Sequence, residues 1–169
     1  MRKSIYLVVA LLFPILIFLF LKFFGRNEFE VLPLYQEAAD AFPSDCGIQY
    51  SAPYTIPDSL KHYPDFSSEA KLHLWIFADK NNEEKLRKNV RRLGEEMAQG
   101  HAPISVIWIQ KDSIDNFDLL KKCVLLLQDD QSIALTDQMQ RIRGQYDGAT
   151  RKDTDRLIVE LEIIFKNEP

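Results

Sequence analysis

The residues best suited to chemistry in this sequence are two cysteines and three histidines. The cysteines are Cys46 and Cys123, and the histidines are His62, His73 and His101. Two thiols are too few for a closed zinc site, and the histidines are widely separated along the chain. His73 also falls within an apolar segment typical of a buried strand, where a core histidine is the favoured interpretation. The sequence therefore assigns no catalytic, cofactor-binding or metal-binding residue.

The cysteines leave three alternatives open. A disulfide between Cys46 and Cys123 would pin the N-terminal part of the chain onto the rest and stabilise the fold by about 2 to 4 kcal/mol. An unpaired thiol at Cys46 together with a buried core cysteine at Cys123 is equally favoured. A redox-active pair is the least favoured of the three, because neither residue lies in a CxxC-type context.

Charged clusters also have a structural and a functional interpretation. Asp79, Glu83 and Glu84 could ligate a metal, but acidic residues at the start of a predicted helix more often cap it. Four basic residues between positions 87 and 92 could contact anionic lipid headgroups, although a solvated helix face is favoured. The sequence contains no Ser-His-Asp arrangement, P-loop or dinucleotide fingerprint, so no enzymatic activity is predicted.

The overall charge excludes one class of partner. The formal net charge is −4 at pH 7, whereas nucleic-acid-binding proteins normally present a basic face. We therefore expect no nucleic-acid partner.

A long apolar segment, residues 5–24, precedes these candidate sites and contains a single charged residue, Lys22. At 1.5 Å per residue it is long enough to cross a hydrocarbon core of about 30 Å, which predicts a transmembrane helix with the lipid bilayer as partner. A cleaved signal peptide is the alternative. It is less favoured because the apolar run exceeds the usual ~7 to 15 residues and no small-x-small cleavage site follows.

Residues 27–68 are predicted to form a linker and extended lead-in, referred to below as the lead-in. Five prolines in this range rule out a long helix, and a short hairpin around residues 54–56 is the one local structure suggested. Several aromatic residues indicate that the lead-in packs on something; they are Tyr35, Phe42, Tyr50, Tyr54 and Phe66.

Residues 69–169 are predicted to form one α/β domain. Two near-continuous apolar runs, 72–78 and 104–109, are typical of strands buried on both faces, and an amphipathic helix ending at Gly100 lies between them. A short helix capped by Ser113, a strand over 124–127, a hairpin over 132–146 and a helix after Thr150 complete the pattern. The predicted element order is β-α-β-α, then a β-hairpin, then α, which is the order of the thioredoxin fold.

Two parts of the chain resemble the Sco/SenC family. The stretch 135–148 contains L-T-D followed by R-I-R-G-Q-Y-D-G, and an acidic-to-apolar helix follows from Asp155. Segments 23–29 and 53–58 are similar to the lead-in of membrane-anchored bacterial members. The resemblance covers the two ends of the chain better than its middle.

Members of that family are thioredoxin-like domains that hold copper with a CxxxC motif and a distant histidine, since thiolates suit Cu(I) and imidazole also suits Cu(II). The resemblance places the CxxxC motif at residues 78–84, which contain no cysteine, and the histidine at 128–132, which contain none either. All three copper ligands are therefore missing. The chain is identified as a degenerate member, and copper is not carried over as a cofactor.

The resemblance implies a location and a role. We expect an anchor over residues 1–26, the lead-in over 27–68 and a thioredoxin-like domain over 69–169, with the domain on the periplasmic side of a bacterial inner membrane. The expected function is non-catalytic assistance in cytochrome oxidase assembly, through contact with an unidentified membrane or respiratory-complex protein. The alternative is a thiol-redox or copper-handling protein that uses Cys46 and Cys123.

Overall fold

The computed structural model describes residues 12–20, 22, 30–37, 42–97 and 104–167. The chain divides into two compact units, Met1–Glu30 and Val31–Pro169. Residues 12–20 of the first unit are helical. No helix among the described residues is long and apolar enough to cross a membrane, and half of the predicted anchor, residues 5–11, 21, 23 and 24, lies outside them.

The second unit is built on a four-stranded sheet, which confirms the mixed α/β prediction. Its strands are β1 (Leu72–Ala78), β2 (Ile104–Gln110), β3 (Ile133–Asp137) and β4 (Ile142–Tyr146). Their order in the sheet is β2-β1-β3-β4. β1 pairs with β2 in parallel and with β3 antiparallel, and β3 pairs with β4 antiparallel. Every residue of β1 is buried because this strand is central and covered on both faces.

Two amphipathic helices, α1 (Glu83–Met97) and α3 (Arg151–Asn167), cover one face of the sheet. Their apolar residues join the even-numbered residues of β1 in one hydrophobic core; the helical members are Leu86, Leu93, Leu157, Ile158, Leu161 and Ile164. α1 begins with Glu83 and Glu84 in its first turn, where carboxylates oppose the positive end of the helix dipole. The predicted helix between the first two strands is therefore present, and its predicted end at Gly100 lies outside the described residues.

The opposite face of the sheet is covered by a short helical segment and by the lead-in. The segment is α2 (Phe117–Leu119), which continues as a π-helical turn over Leu120–Val124. Within the described part of the lead-in, a 3-10 turn at Asp58–His62 buries Leu60. Six partly buried aromatic residues pack on the same core: Tyr35, Phe42, Tyr50, Tyr54, Tyr63 and Phe66. The aromatic pattern of the lead-in thus reflects packing on the sheet.

The predicted hairpin around residues 54–56 is wrong, because these residues bond to distant segments. The Tyr54 amide donates to the carbonyl of Tyr35, at 2.9 Å, and the Ile56 amide donates to the carbonyl of Gln140, also at 2.9 Å. The Leu34 amide donates to the carbonyl of Ile142 at 2.7 Å. Two segments of the lead-in, around residues 34–35 and 54–56, therefore bond to each other and to the β3–β4 hairpin, and they form no hairpin of their own.

The connection between β2 and β3 also differs from the prediction. A 3-10 turn occupies Lys111–Ser113, and α2 begins at Phe117, so Ser113 does not cap it. Residues 124–127 form no strand; the Leu125 amide donates to the carbonyl of Leu120, five residues earlier, and Leu126 has a φ of 54°. Short apolar runs do not distinguish a strand from a buried turn, and here the carbonyls find side-chain partners instead of a neighbouring strand.

Candidate functional site

The loop after β1 holds the acidic residues that the sequence offered as a metal site. One Asp79 carboxylate oxygen accepts hydrogen bonds from the amides of Asn81 and Asn82, at 2.8 and 3.0 Å, and the Asn82 side-chain oxygen accepts from the Asp79 amide at 2.8 Å. Glu83 forms an ion pair with Arg87 at 2.8 Å. These side chains therefore close the turn that begins α1. No group of three or more His, Cys, Asp or Glu residues able to hold a metal occurs among the described residues.

The two cysteines, whose state the sequence left open, form a disulfide in the structure. Cys46 belongs to the lead-in and Cys123 to the π-helical turn. They are 77 positions apart in sequence, and their Cα atoms are 5.5 Å apart. The bond therefore joins the lead-in covalently to the segment between β2 and β3.

Side chains from two other segments satisfy the carbonyls at the end of the π-helical turn. The Tyr50 hydroxyl donates to the carbonyl of residue 123 at 2.8 Å, and the Tyr54 hydroxyl donates to that of residue 124 at 2.7 Å. The side-chain amide of Gln145 in β4 donates to the carbonyls of residues 125 and 126, at 2.9 and 2.8 Å. Burial raises the pKa of the Tyr54 hydroxyl and of the Tyr50 hydroxyl, so both stay protonated as donors.

The rings that carry these hydroxyls form an aromatic cluster. Phe42 stacks on Tyr50, with ring centroids 4.9 Å apart and planes 4° from parallel. Tyr54 meets both rings edge to face, at centroid distances of 5.8 and 5.7 Å, and Tyr35 contacts Phe42 at 5.6 Å. Edge-to-face and offset arrangements are favourable for aromatic pairs. The cluster gives this part of the lead-in a defined position.

An open cleft of about 400 Å³ lies beside the aromatic cluster and the disulfide. Its volume falls within the usual range for ligand-binding clefts. One wall comes from the lead-in and the other from the end of the π-helical turn and the loop before β3; the described lining residues are Tyr35, Phe42, Pro43, Asp45, Lys122, Leu126, Leu127, Gln128 and Asp129. Asp45 and Lys122 each neighbour one of the bridged cysteines in sequence. We take this cleft as the candidate functional site.

The charges at this cleft are partly neutralised. Lys122 forms an ion pair with Asp129 at 2.5 Å, and Lys121 donates to the main-chain carbonyl of Asp129 at 3.1 Å. Burial lowers the pKa of Lys121, against the opposing effect of Asp129. Sequence patterns alone do not predict this cleft as a site. The only available signal was the set of aromatic residues in the lead-in, which did not reveal where they pack.

The histidines are not assembled into a site among the described residues. His73 is 2% exposed, stacks on Phe66 with ring centroids 4.1 Å apart, and places Nε2 3.0 Å from the carbonyl of Ser67. Its Nδ1 atom has no hydrogen-bond partner within the described part of the chain. Burial lowers the pKa of His73, opposed by the Ser67 carbonyl and by Asp137. His62 is exposed, and His101 lies outside the described residues.

Of the four basic residues between positions 87 and 92, two form ion pairs with other described residues of the chain. Arg87 pairs with Glu83 and places its guanidinium carbon 5.1 Å from the ring centroid of Trp108. Arg92 pairs with Glu96 at 2.8 Å and also with Asp155. These pairs connect α1 to its own turns, to β2 and to α3. The proposed lipid contact of this helix face stays a prediction.

The hairpin motif that carries the family resemblance begins with buried charges. Asp137 is 4% exposed and Arg143 is 4% exposed. One carboxylate oxygen of Asp137 lies 2.7 Å from Arg141 and 3.3 Å from Arg143. Arg143 also donates to the carbonyl of Val31. These residues close the turn between β3 and β4 and attach the start of the second unit to it.

The second half of the motif is explained by close packing. A Cβ atom on Gly144 would overlap the ring of Tyr146, and one on Gly148 would overlap Ile133 and Leu86. The Tyr146 hydroxyl donates to a carboxylate oxygen of Glu160 in α3. Gly144 therefore leaves room for the Tyr146 ring, which bonds to α3, whereas Gly148 allows β3 and α1 to pack closely against it.

No protein-family model matches this chain, and no curated protein matches it.

Proposed function

We propose that this protein is a membrane-tethered, non-catalytic thioredoxin-like module, similar to Sco/SenC proteins, that assists cytochrome oxidase assembly through protein interaction. The sheet order β2-β1-β3-β4, with one parallel and two antiparallel pairs, supports the thioredoxin-like assignment. The hairpin motif supports the Sco/SenC resemblance by its sequence alone. Its residues make packing contacts within the domain, so these contacts add no further support for the role.

The turn after β1 is the observation that carries the non-catalytic role. The family resemblance expects copper-binding thiolates here, and the residues present instead are Asp79 and Asn82, whose side chains bond to each other's main chain. The loop expected to supply the histidine is closed in a similar way, since the Gln128 amide donates to the side-chain oxygen of Gln131 at 2.9 Å. Both loops therefore serve local structure.

The cleft beside the disulfide is the proposed contact surface. It combines aromatic and aliphatic walls with a few charged groups, which suits a segment of a partner protein. The proposed location is the bacterial inner membrane, with residues 5–24 as anchor and the second unit in the periplasm. The Cys46–Cys123 bond supports that location because disulfides persist in oxidising compartments.

A photo-cross-linking experiment tests the interaction. A benzophenone amino acid replaces Gln128, which lines the cleft, or Val159, which is 53% exposed on α3 and serves as the control. After irradiation of native membranes, we expect the variant at position 128 to join an oxidase subunit or assembly factor and the variant at 159 not to. Equal products from both positions would exclude the cleft as the contact surface.

The alternative function, thiol redox or copper handling through Cys46 and Cys123, is favoured by the position of their bond at the margin of the cleft. Its test is a titration of the reduced full chain with Cu(I) while free thiols are counted. Our proposal expects no stoichiometric binding. Tight binding of one Cu(I) that is lost in Cys46→Ser and Cys123→Ser would replace the interaction-only function with copper handling.

A further inference from the structure

The two edges of the sheet differ in whether other segments bond to them. The outer edge of β4 is covered, since the Leu34 amide donates to the carbonyl of Ile142 and the Arg156 guanidinium donates to the carbonyl of Gln145 at 2.6 Å. β2 forms the opposite edge, and its one strand partner among the described residues is β1. Among the described residues, no main-chain hydrogen bond joins the outer edge of β2 to another segment.

The sequence of β2 lacks the usual protection of an edge strand. Its seven residues, I-S-V-I-W-I-Q, include no charge, proline or glycine, and at about 3.3 Å per residue they extend over roughly 23 Å. Charged side chains, prolines, bulges and very short strands are the features that normally prevent an exposed edge from pairing with another chain. β2 is therefore a complete template for a further strand.

We propose that β2 pairs antiparallel with β2 of a second copy of this chain, about a two-fold axis at Ile107, to form a continuous eight-stranded sheet. In this register Val106 of each copy lies opposite Trp108 of the other, and the two Ile107 residues lie opposite each other. Pairs of aromatic and β-branched residues stabilise antiparallel strands. A register shifted by one residue would put the α1 face of one copy beside the lead-in face of the other. This mismatch of faces favours the pairing centred on Ile107.

The charges near the end of β2 are compatible with this pairing. Lys111 and Asp112 follow the strand directly; Lys111 pairs with Asp118 at 3.7 Å, and Asp112 pairs with Lys80 at 3.1 Å. Since β2 itself carries no charge, self-pairing places no like charges directly opposite each other along the strand. The strand's own side chains therefore add no like-charge repulsion to self-pairing.

The first experiment measures the mass of the full chain in a non-ionic detergent by light scattering with detergent correction. We expect a dimer, and we expect Val106→Lys to make it a monomer because the substitution puts a charge on each copy opposite an apolar ring. Val159→Lys, on the exposed face of α3, is the matched control and should stay dimeric. A monomeric wild-type chain, or a dimer unchanged by Val106→Lys, would overturn the proposal.

A second measurement guards against misfolding of the lysine variant. All cysteines are bridged, so Val106→Cys introduces a single reactive thiol. In the proposed register, position 106 lies diagonally opposite position 106 of the other copy, at roughly 7 to 8 Å. A short bismaleimide should therefore yield a covalent dimer from Val106→Cys and little from Val159→Cys. Equal yields of covalent dimer from the two variants would reject strand pairing at β2. This outcome also covers a chain that dimerises through another surface.

Discussion

The hydroxyl of Tyr54 donates a hydrogen bond of 2.7 Å to the main-chain carbonyl of Val124. These residues are 70 positions apart in sequence, and their contact attaches the lead-in to the π-helical turn beside the cleft. Tyr50 makes the equivalent bond to the neighbouring carbonyl, of Cys123. The cleft therefore depends on polar contacts of the lead-in as well as on the disulfide.

Removal of the Tyr54 hydroxyl should destabilise the fold. Tyr54→Phe keeps the ring but leaves the Val124 carbonyl without this donor, and we expect the free energy of unfolding to fall by about 1 to 3 kcal/mol. Urea titration measures the change. Tyr63→Phe is the matched control, because Tyr63 is also half-buried and no hydrogen bond of its hydroxyl occurs among the described residues; it should change stability by less than about 0.5 kcal/mol. Equal losses would show that the hydroxyl bond to Val124 contributes nothing specific.

Loss of the disulfide should loosen the lead-in before the rest of the domain. In the double variant Cys46→Ser with Cys123→Ser, we expect a loss of about 2 to 4 kcal/mol in unfolding free energy, together with faster amide exchange in residues 42–56. The bond constrains a sequence separation of 77 residues, which is the reason for a large effect. Reduced wild-type protein should match the double variant. Unchanged exchange in residues 42–56 would contradict the tethering role of the bond.

Replacement by alanine should change the free energy of unfolding in opposite directions at Gly148 and Gly94. Gly148→Ala should lower the free energy of unfolding by about 1 to 3 kcal/mol, since the new methyl group meets Ile133 and Leu86 in the core. Gly94→Ala is the control. Nothing lies within 4 Å of the added atom there, so α1 should gain about 0.5 to 1 kcal/mol. If Gly148→Ala leaves the free energy of unfolding unchanged, the core can move to accept the methyl group.

Stability should fall as the pH drops below about 6.5, the usual pKa of an unfolded histidine. Burial holds the pKa of His73 below that value, with Ser67 and Asp137 opposing. The unfolded chain therefore binds the proton first. The neutral imidazole contributes stability above the unfolded pKa, and this contribution is lost as the pH falls through the folded pKa. The slope is at most about 1.4 kcal/mol per pH unit for one histidine.

His73→Phe isolates this contribution because a phenyl ring retains a surface for stacking on Phe66. Unfolding free energies between pH 7.5 and 5.5 should decrease less steeply in this variant than in the wild type. His62→Gln, at an exposed position, should follow the wild-type curve. Parallel curves for wild type and His73→Phe would assign the pH dependence to other groups.

Much of the domain could be predicted from local pattern. The run 72–78 is apolar at nearly every position, and a strand placed centrally in a sheet is buried on both faces, so its prediction needed no distant information. The helix after Thr150 was equally clear from its spacing. The contacts at its start need the structure: the Asp153 amide donates to the Thr150 hydroxyl at 3.4 Å, and the Asp153 carboxylate accepts from the Asp147 amide at 2.9 Å.

The candidate site could not be predicted in the same way. The apolar composition of segment 124–127 predicts a strand, and only the donors on Tyr50, Tyr54 and Gln145 explain why the carbonyls there need no neighbouring strand. These donors come from positions 19 to 73 residues away, so no local pattern contains the information.

By itself, the sequence determined the four strands of the sheet, the two long helices and the mixed α/β class, because hydrophobic periodicity acts within a few residues. It also determined that the loops at 78–84 and 128–132 contain no thiol or imidazole. Only the tertiary structure decided that the lead-in covers one face of the sheet, that Cys46 meets Cys123, and that a cleft forms between the segments they join. Those features depend on contacts between segments far apart in the chain, which form only when the whole core is buried.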